Sequence, residues 1–316
     1  MSTLNLEKSD GLLEASSEPI NPDTYFITHT APESLEADEK RVKEFVGKHA
    51  ETLEQGEQHP LNILLLDLLL RVKKIFDLFL NQLDYYNTYF LEAGYAVIFM
   101  HRKYSLQPYN RHFSQYSALD LMELKSDGSI CVSPAHMDKI KNALAKYQEF
   151  KRKEMILMID FLTVNDYLFL LRSVTQAMNQ LKRCALYYLA AAAEHKIQSG
   201  AGPMTLKMDQ VPKFLRPLVS NWAPQGYTVS FKLETEPDLL IPKSRQALLR
   251  YGHQIVIGNL LTKRKSEVNL ITHDAEMELK LSKEEMRDGV EIESRIVNEL
   301  VKRHEEWIKQ RTSNDF

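Results

Sequence analysis

Glycine is scarce in this chain. Its 316 residues include eleven glycines, roughly half of ordinary usage. No two are adjacent, and none lies between Gly56 and Gly94. That distribution excludes collagen-like and low-complexity chains. It also excludes a complete Walker loop and a full G-x-G-x-x-G dinucleotide fingerprint. Cysteine is scarcer still. Cys131 and Cys184 stand far apart and outside any C-x-x-C pattern, so nothing suggests a disulfide framework or a zinc site, and a reducing compartment is expected. The polar, acidic start lacks the basic and apolar segments of a signal peptide. G-x-S-x-G, H-E-x-x-H and Cys–His motifs are missing too.

A long uncharged apolar run is also lacking. Residues 61–80, LNILLLDLLLRVKKIFDLFL, hold 14 apolar residues but also Asp67, Arg71, Lys73, Lys74 and Asp77. A membrane span needs about 20 nearly uncharged residues, and charges at its centre are costly. A buried or interfacial helix is the expectation. A membrane-surface anchor with Lys73 and Lys74 on its polar face is a third reading, which Asp67 and Asp77 oppose.

What is present is an ordinary globular composition, 44% apolar and 26% charged. The net charge of -3 does not suit a general nucleic-acid binder. It is unevenly spread. Residues 1–60 carry 13 acidic and 5 basic side chains, whereas 61–316 carry 30 and 35. A mildly basic body suits anionic small molecules, although random surface variation explains it equally well.

Residues 1–33, with Pro19, Pro22 and Pro32, read as a flexible acidic arm. Ser34 caps a helical extension reaching residue 60. The remainder, 61–316, reads as one domain. Its leucine-rich start is expected to be helical through Asn81. Tyr95–His101 reads as a buried strand, 103–134 as loop, and His136 to about Lys153 as helix. Asp160 to Lys182 carries a second helical pattern. Ala185–Ala193 reads as a strand and 211–223 as a helix distorted by Pro217. Tyr227–Leu233 alternates as a strand, 242–253 is helical, and Gln254–Gly258 is a short strand. A hairpin around Asp274 pairs Val268–Thr272 with Met277–Leu281, and 289–311 is an amphipathic helix. Strands alternating with helices imply an α/β fold: a mostly parallel, Rossmann-like sheet with helices on both faces.

In such sheets ligands bind beyond the carboxyl ends of the strands. After the alanine strand comes EHKIQSGAGP, with Lys196 as a mobile cation for phosphate or carboxylate and Gly200 and Gly202 permitting a tight turn. Without further support, a solvated loop lysine is the simpler explanation. On Tyr227–Leu233, Lys232 and Glu234 share one face, opposite Phe231 and Leu233. Phe231 suits a base pocket and Lys232 a phosphate; a core phenylalanine with a rim ion pair suits the pattern as well. Asn259 follows the short strand as a partner for base or ribose, or simply as a turn former. His101, Arg102, Arg111 and His112 form a basic group, by default an ordinary rim.

Seven strings, FLEAGYAVIFMHR, FLTVNDYLFLL, YYLAAA, EHKIQSGAGP, VPKFLRPLV, VSFKLETE and IGNLL, occur in this order. Together they resemble phosphopantothenate–cysteine ligases of the eukaryotic, particularly fungal, type, over roughly 20–60 and 89–316. The resemblance implies a Rossmann-like homodimer in the cytoplasm, with the nucleus as the alternative, and a place in a larger coenzyme A synthesis complex. It implies no nucleic-acid or membrane partner. The implied reaction activates 4′-phosphopantothenate with ATP, accompanied by Mg2+, as an acyl nucleotide, which the cysteine amine then attacks. It implies Lys196 as catalytic, with Phe231, Lys232 and Asn259 at the nucleotide, Ala191 and Ala192 at phosphopantothenate, and no resident metal ligand.

Two departures stand out. The family carries a strand, a T-S-G-G-T loop and an N-F-S-[SA]-G-x-R-G segment before F-L-E-A-G-Y, where this chain has residues 61–88 without a glycine. The family also carries V-S-D-F before H-K-I-Q-S, where Ala193 and Glu194 lead straight to His195. A packed helix does not cradle phosphate along its side, because its interior N–H groups are bonded. The alternative to an active ligase is therefore an impaired member serving as a binding or dimerisation partner.

Overall fold

The computed structural model describes residues 22–54, 62–66, 86–103, 108–113, 116–189 and 214–310. Among them the main sheet has eight strands. In chain order these are β1 (Asn62–Leu66), β2 (Ala96–Arg102), β5 (Ile156–Phe161), β6 (Ala185–Leu189), β7 (Tyr227–Glu234), β8 (Ile255–Leu260), β9 (Glu267–Ile271) and β10 (Glu276–Lys280). Their spatial order is β10-β9-β8-β7-β6-β1-β2-β5. The five pairings from β5 to β8 are parallel, and β9 and β10 add an antiparallel edge. The expected α/β, mostly parallel architecture is present.

The position of β1 corrects the sequence reading. Residues 62–66 are not helical. They form a strand paired in parallel with β2 on one side and β6 on the other. Leucine has no strong strand preference, and an unbroken apolar run has no period to read. A slot between two parallel strands, with backbone groups to satisfy on both edges, decides the matter. The chain thus has a strand where the family carries one, and the departure begins after Leu66.

Helices cover both faces. On one face, helical residues 86–92, α3 (Met137–Arg152) and α7 (Ile292–Lys309) enclose Val97, Phe99, Leu186, Tyr188, Val229 and Ile257. The other face buries Ile98, Met100, Ile159 and Tyr187 under α2 (Leu35–Glu54) and α4 (Val164–Met178). There α5 (Pro237–Tyr251) packs Leu248 on Val256 and Ile271. Gly258 fits that contact: a Cβ there would lie 2.9 Å from Ile271 Cδ1 and 3.2 Å from Leu240 Cδ1.

Other expectations change as well. The arm read as flexible through residue 33 contains helix α1 (Pro22–Thr28). It is docked by a 3.0 Å hydrogen bond from Tyr25 Oη to Asn165 Oδ1 and by Arg172, 3.8 Å above the Phe26 ring. The pattern from Asp160 to Lys182 is not one helix. Asp160 and Phe161 end β5, and α4 starts only at Val164, where Thr163 as N-cap forms a capping box with Asp166. Residues read as loop contain a separate hairpin, β3 (Met122–Leu124) with β4 (Ile130–Val132). Of the expected helix 211–223, the described residues 214–223 do bend near Pro217, passing from one α-turn into the π-helical residues Leu218–Trp222. A short α6 (Lys283–Arg287), with its own capping box, precedes α7.

The amino ends of the strands are joined by a buried histidine. His304 of α7 lies between Tyr95, which leads into β2, and Arg183, which leads into β6. Its Nε2 donates to the Arg183 carbonyl at 2.9 Å. Its Nδ1 therefore accepts from Tyr95 Oη at 3.1 Å. Burial pushes His304 down to about 4, against a smaller upward pull from the Arg183 carbonyl. It is a neutral structural latch at the end of the sheet away from the ligand side.

Candidate functional site at the carboxyl edge of the sheet

The chain runs from β1 outward to β2 and β5, then returns to β6 and runs the other way through β7 and β8. The direction reverses between β1 and β6, and a ligand crevice opens beyond the strand ends at such a point. The final residues of these strands, Leu66 and Leu189, are register partners. Leu66 and Leu189 therefore end side by side at the carboxyl edge of the sheet. Ala191, Ala192 and Lys196 lie outside the described residues, as do Gly200, Gly202 and residues 67–85.

Phe231 and Asn259 are brought together. In the parallel register Phe231 faces Ile257 and Leu233 faces Asn259, so both point to the α7 face, one step apart along neighbouring strands. The Phe231 ring packs edge-on against Tyr188, with centroids 5.0 Å apart, and against Tyr86 at 5.8 Å. Tyr86 and Tyr188 are themselves 4.7 Å apart. Asn259 is not the turn former considered above. It lies within β8, 3% exposed, and its Oδ1 has no hydrogen-bond partner. An unsatisfied buried carbonyl costs about 1–3 kcal/mol, a cost that a ligand donor removes.

Lys232 points the other way, toward α5, where Glu234 takes its charge. Lys232 Nζ is 3.4 Å from Glu234 Oε1, and Lys243 of α5 donates to Oε2 at 2.8 Å. The rim ion pair considered for this strand exists, reinforced by a second lysine. Lys232 is thus on the opposite face of β7 from Phe231 and Asn259. His101 is 5% exposed, stacked on Phe99 at 5.2 Å, with its Nδ1 3.2 Å from the Arg102 carbonyl. Burial lowers its pKa, with smaller opposing contributions from that carbonyl and Asp160.

Sequence reading missed two neighbours of Phe231, Tyr86 and Tyr188, and the buried Glu293. Glu293, in the first turn of α7, is 5% exposed. Burial first, and the Glu293 charge second, push the Tyr86 phenol well above its ordinary value. Burial also dominates at Tyr188, followed by Tyr86 and then Glu293. The phenol groups act on one another's ionisation, although Tyr188 Oη makes no hydrogen bond of full geometry. A signal for Glu293 was available: with Val297, Leu300 and His304 it follows the i, i+4, i+7, i+11 spacing of the buried stripe. Among the described residues, no group of three or more His, Cys, Asp and Glu is arranged to hold a metal ion, and no helix is long and apolar enough to cross a membrane.

No protein-family model matches the chain. Its sequence is 41% identical over 240 residues to phosphopantothenate–cysteine ligase of Homo sapiens, covering 70% of this chain and 76% of that protein. It is 39% identical over 251 residues to phosphopantothenate–cysteine ligase CAB2 of Saccharomyces cerevisiae, covering 69% and 67%. A solved Cab2 point mutant in complex with phosphopantothenate-cysteine superposes with a TM-score of 0.75 at 30% identity, over 92% of this chain and 100% of that one. The strand order, the switch point and these similarities agree: the chain belongs to the phosphopantothenate–cysteine ligase family.

Proposed function

We propose that this chain joins 4′-phosphopantothenate to cysteine in coenzyme A biosynthesis, using ATP with its accompanying Mg2+. The phosphopantothenate carboxylate attacks the α-phosphorus of ATP, pyrophosphate leaves, and an acyl adenylate forms. The cysteine amine then attacks the acyl carbon, losing a proton as AMP departs and the amide bond forms. Phe231 and Asn259 hold the nucleotide, and Ala191 and Ala192 allow close approach of phosphopantothenate. Lys196 stabilises the negative charge that develops on the carbonyl and phosphate oxygens. Lys232 makes at most a shared phosphate contact, because Glu234 already takes part of its charge.

The observation that carries this reading is the unpartnered Asn259 Oδ1 beside the Phe231 ring at the carboxyl edge. That pair offers an acceptor and an aromatic edge to a planar, donor-bearing ring. The test is pyrophosphate release by the purified chain. Release that requires phosphopantothenate, cysteine and ATP together supports the proposal. Absence of release, combined with heterodimer formation with an active ligase, favours the alternative of an impaired binding or dimerisation partner. The glycine-free stretch between Gly56 and Gly94 is the feature that favours that alternative.

A homodimer is part of the same proposal, and the β3–β4 hairpin supports it. Met122, Leu124 and Ile130 lie on one face of the hairpin and are 49%, 75% and 69% exposed. A second copy covers such a face symmetrically. Sedimentation showing a dimer that Leu124→Glu converts to a monomer supports this, and a monomeric parent chain refutes it. The same proposal takes in a cytoplasmic location, with the nucleus as the alternative, and membership of a larger coenzyme A synthesis complex.

A further inference from the structure

His101 is a buried titratable side chain at the ligand end of the sheet, and the ligase reading leaves it without a role. It lies one residue before the end of β2. Stacking on Phe99, with ring centroids 5.2 Å apart, sets it on the α7 face with Val97 and Phe99. The strand registers fix its level. Met100 pairs with Leu66, Leu66 with Leu189, and Leu189 with Ser230. One step further along each strand, His101 on β2 and Phe231 on β7 occupy the same level and the same face. They flank the point where the chain direction reverses, with β1 and β6 between them. Three strand spacings separate them, about 14 Å.

The contacts of the ring set its protonation. The Arg102 carbonyl, 3.2 Å from Nδ1, only accepts, so Nδ1 carries the hydrogen and Nε2 keeps its lone pair. Among the described residues, none hydrogen-bonds to Nε2. Burial holds the ring below its ordinary value, against smaller pulls from that carbonyl and from Asp160. Asp160 is the register partner of His101 on β5, exposed and on the face that carries Met158. Arg102 alternates to the other face. The ring is thus a neutral base with one open acceptor, and the carboxylate on the neighbouring strand offsets the positive charge it takes on.

We infer that His101 is the general base of the second half of the reaction, accepting through Nε2 the proton that the cysteine amine sheds as it attacks the acyl adenylate. This rests on the ligase reading above and gives a group to a proton that reading leaves unassigned. A nucleotide whose base lies against Phe231 and whose phosphate crosses the switch point presents its acyl carbon toward β2. The amine lone pair forms the C–N bond, and Nε2 takes a proton from that nitrogen. The C–O bond to phosphate breaks, and its electrons leave on AMP. The imidazolium then returns its proton to water. In the first half a carboxylate attacks phosphorus, no proton moves, and no base is needed. The two halves therefore differ in their need for His101.

The test separates the halves in the full chain and in His101→Gln, which keeps a polar side chain of similar reach but is no base. Exchange of labelled pyrophosphate into ATP, with phosphopantothenate and without cysteine, reads the first half. Cysteine-dependent product formation reads the second. His101→Gln is expected to lower cysteine-dependent turnover about 100-fold and exchange by less than about threefold. Both rates come from one protein preparation, so a general loss of fold lowers them together and leaves their ratio unchanged. An unchanged ratio, whether both rates fall or neither does, overturns the role of His101 while the parent chain's activity leaves the ligase reading intact. A parent chain that shows neither exchange nor product overturns both.

Discussion

Lys243 donates to Glu234 across 2.8 Å, from α5 to the carboxyl end of β7. The carboxylate is 10% exposed, and Lys232 approaches its other oxygen at 3.4 Å. Breaking a buried pair leaves charge without compensation, but Lys243 is 41% exposed and largely rehydrates. Glu234→Gln is therefore expected to cost only about 1–2 kcal/mol of stability. It also releases Lys232, so nucleotide binding becomes tighter and more salt-dependent. Urea denaturation and binding titrations at two ionic strengths check both effects; a binding constant insensitive to the substitution argues against any contact between Lys232 and phosphate.

Asn259 separates stability from function. Its Oδ1 is already unsatisfied, so Asn259→Ala removes a buried polar group at little cost. Stability is expected to change by less than about 1 kcal/mol, while nucleotide affinity falls by about tenfold. Thermal denaturation without ligand and calorimetry with ATP measure the two. A large loss of stability with unaltered affinity marks Asn259 as purely structural.

The buried histidines make the fold acid-sensitive. His253 is fully buried, with a 2.7 Å hydrogen bond between its Nε2 and Ser230 Oγ. Burial first, then the charge of His273, pushes it down to about 4, the value His304 also takes. Folded values below the ordinary 6.5 mean that the unfolded chain binds the proton first. The stabilisation is complete above 6.5, is lost as pH falls toward about 4, and then levels off. Between pH 7 and 5 each histidine is expected to remove about 2 kcal/mol. Denaturation midpoints across that range test this, and His304→Gln should flatten the slope by about a third or less, because burial also pushes His49 down to about 4 and lowers His101.

Gly226 has no room for a side chain. A Cβ there would lie 2.2 Å from Tyr187 Cε2 and 2.7 Å from Cδ2, and the ring is completely buried. Gly226→Ala forces Tyr187 or the turn before β7 to move, at about 2–3 kcal/mol. The melting temperature is expected to fall by roughly 5 °C or more. A fall of under about 1 °C contradicts the packing described here.

The residues of β2 and β7 announce themselves. Val97, Ile98 and Phe99 are β-branched or aromatic, and Tyr227 to Leu233 alternates. Both predicted strands exist within a residue or so of their expected bounds. The pairing of Phe231 with Asn259 was only half legible. Alternation sets the face of Phe231, but β8 continues past Gly258 to Leu260. That extension, set by pairing with β7, turns Asn259 from a turn residue into a buried acceptor.

By itself the sequence determined the alternation of strands and helices and the family, because local periodicity and ordered strings survive without a partner segment. Tertiary structure decided three things. It made Asn62–Leu66 a central strand, because β2 and β6 offer hydrogen bonds on both sides. It gave the charge of Lys232 partly to Glu234, and it tied Tyr89 to Glu291 at the start of α7. An apolar run carries no period, and a charged side chain carries no record of its neighbour. Contacts between residues as distant in sequence as Tyr89 and Glu291 supply both.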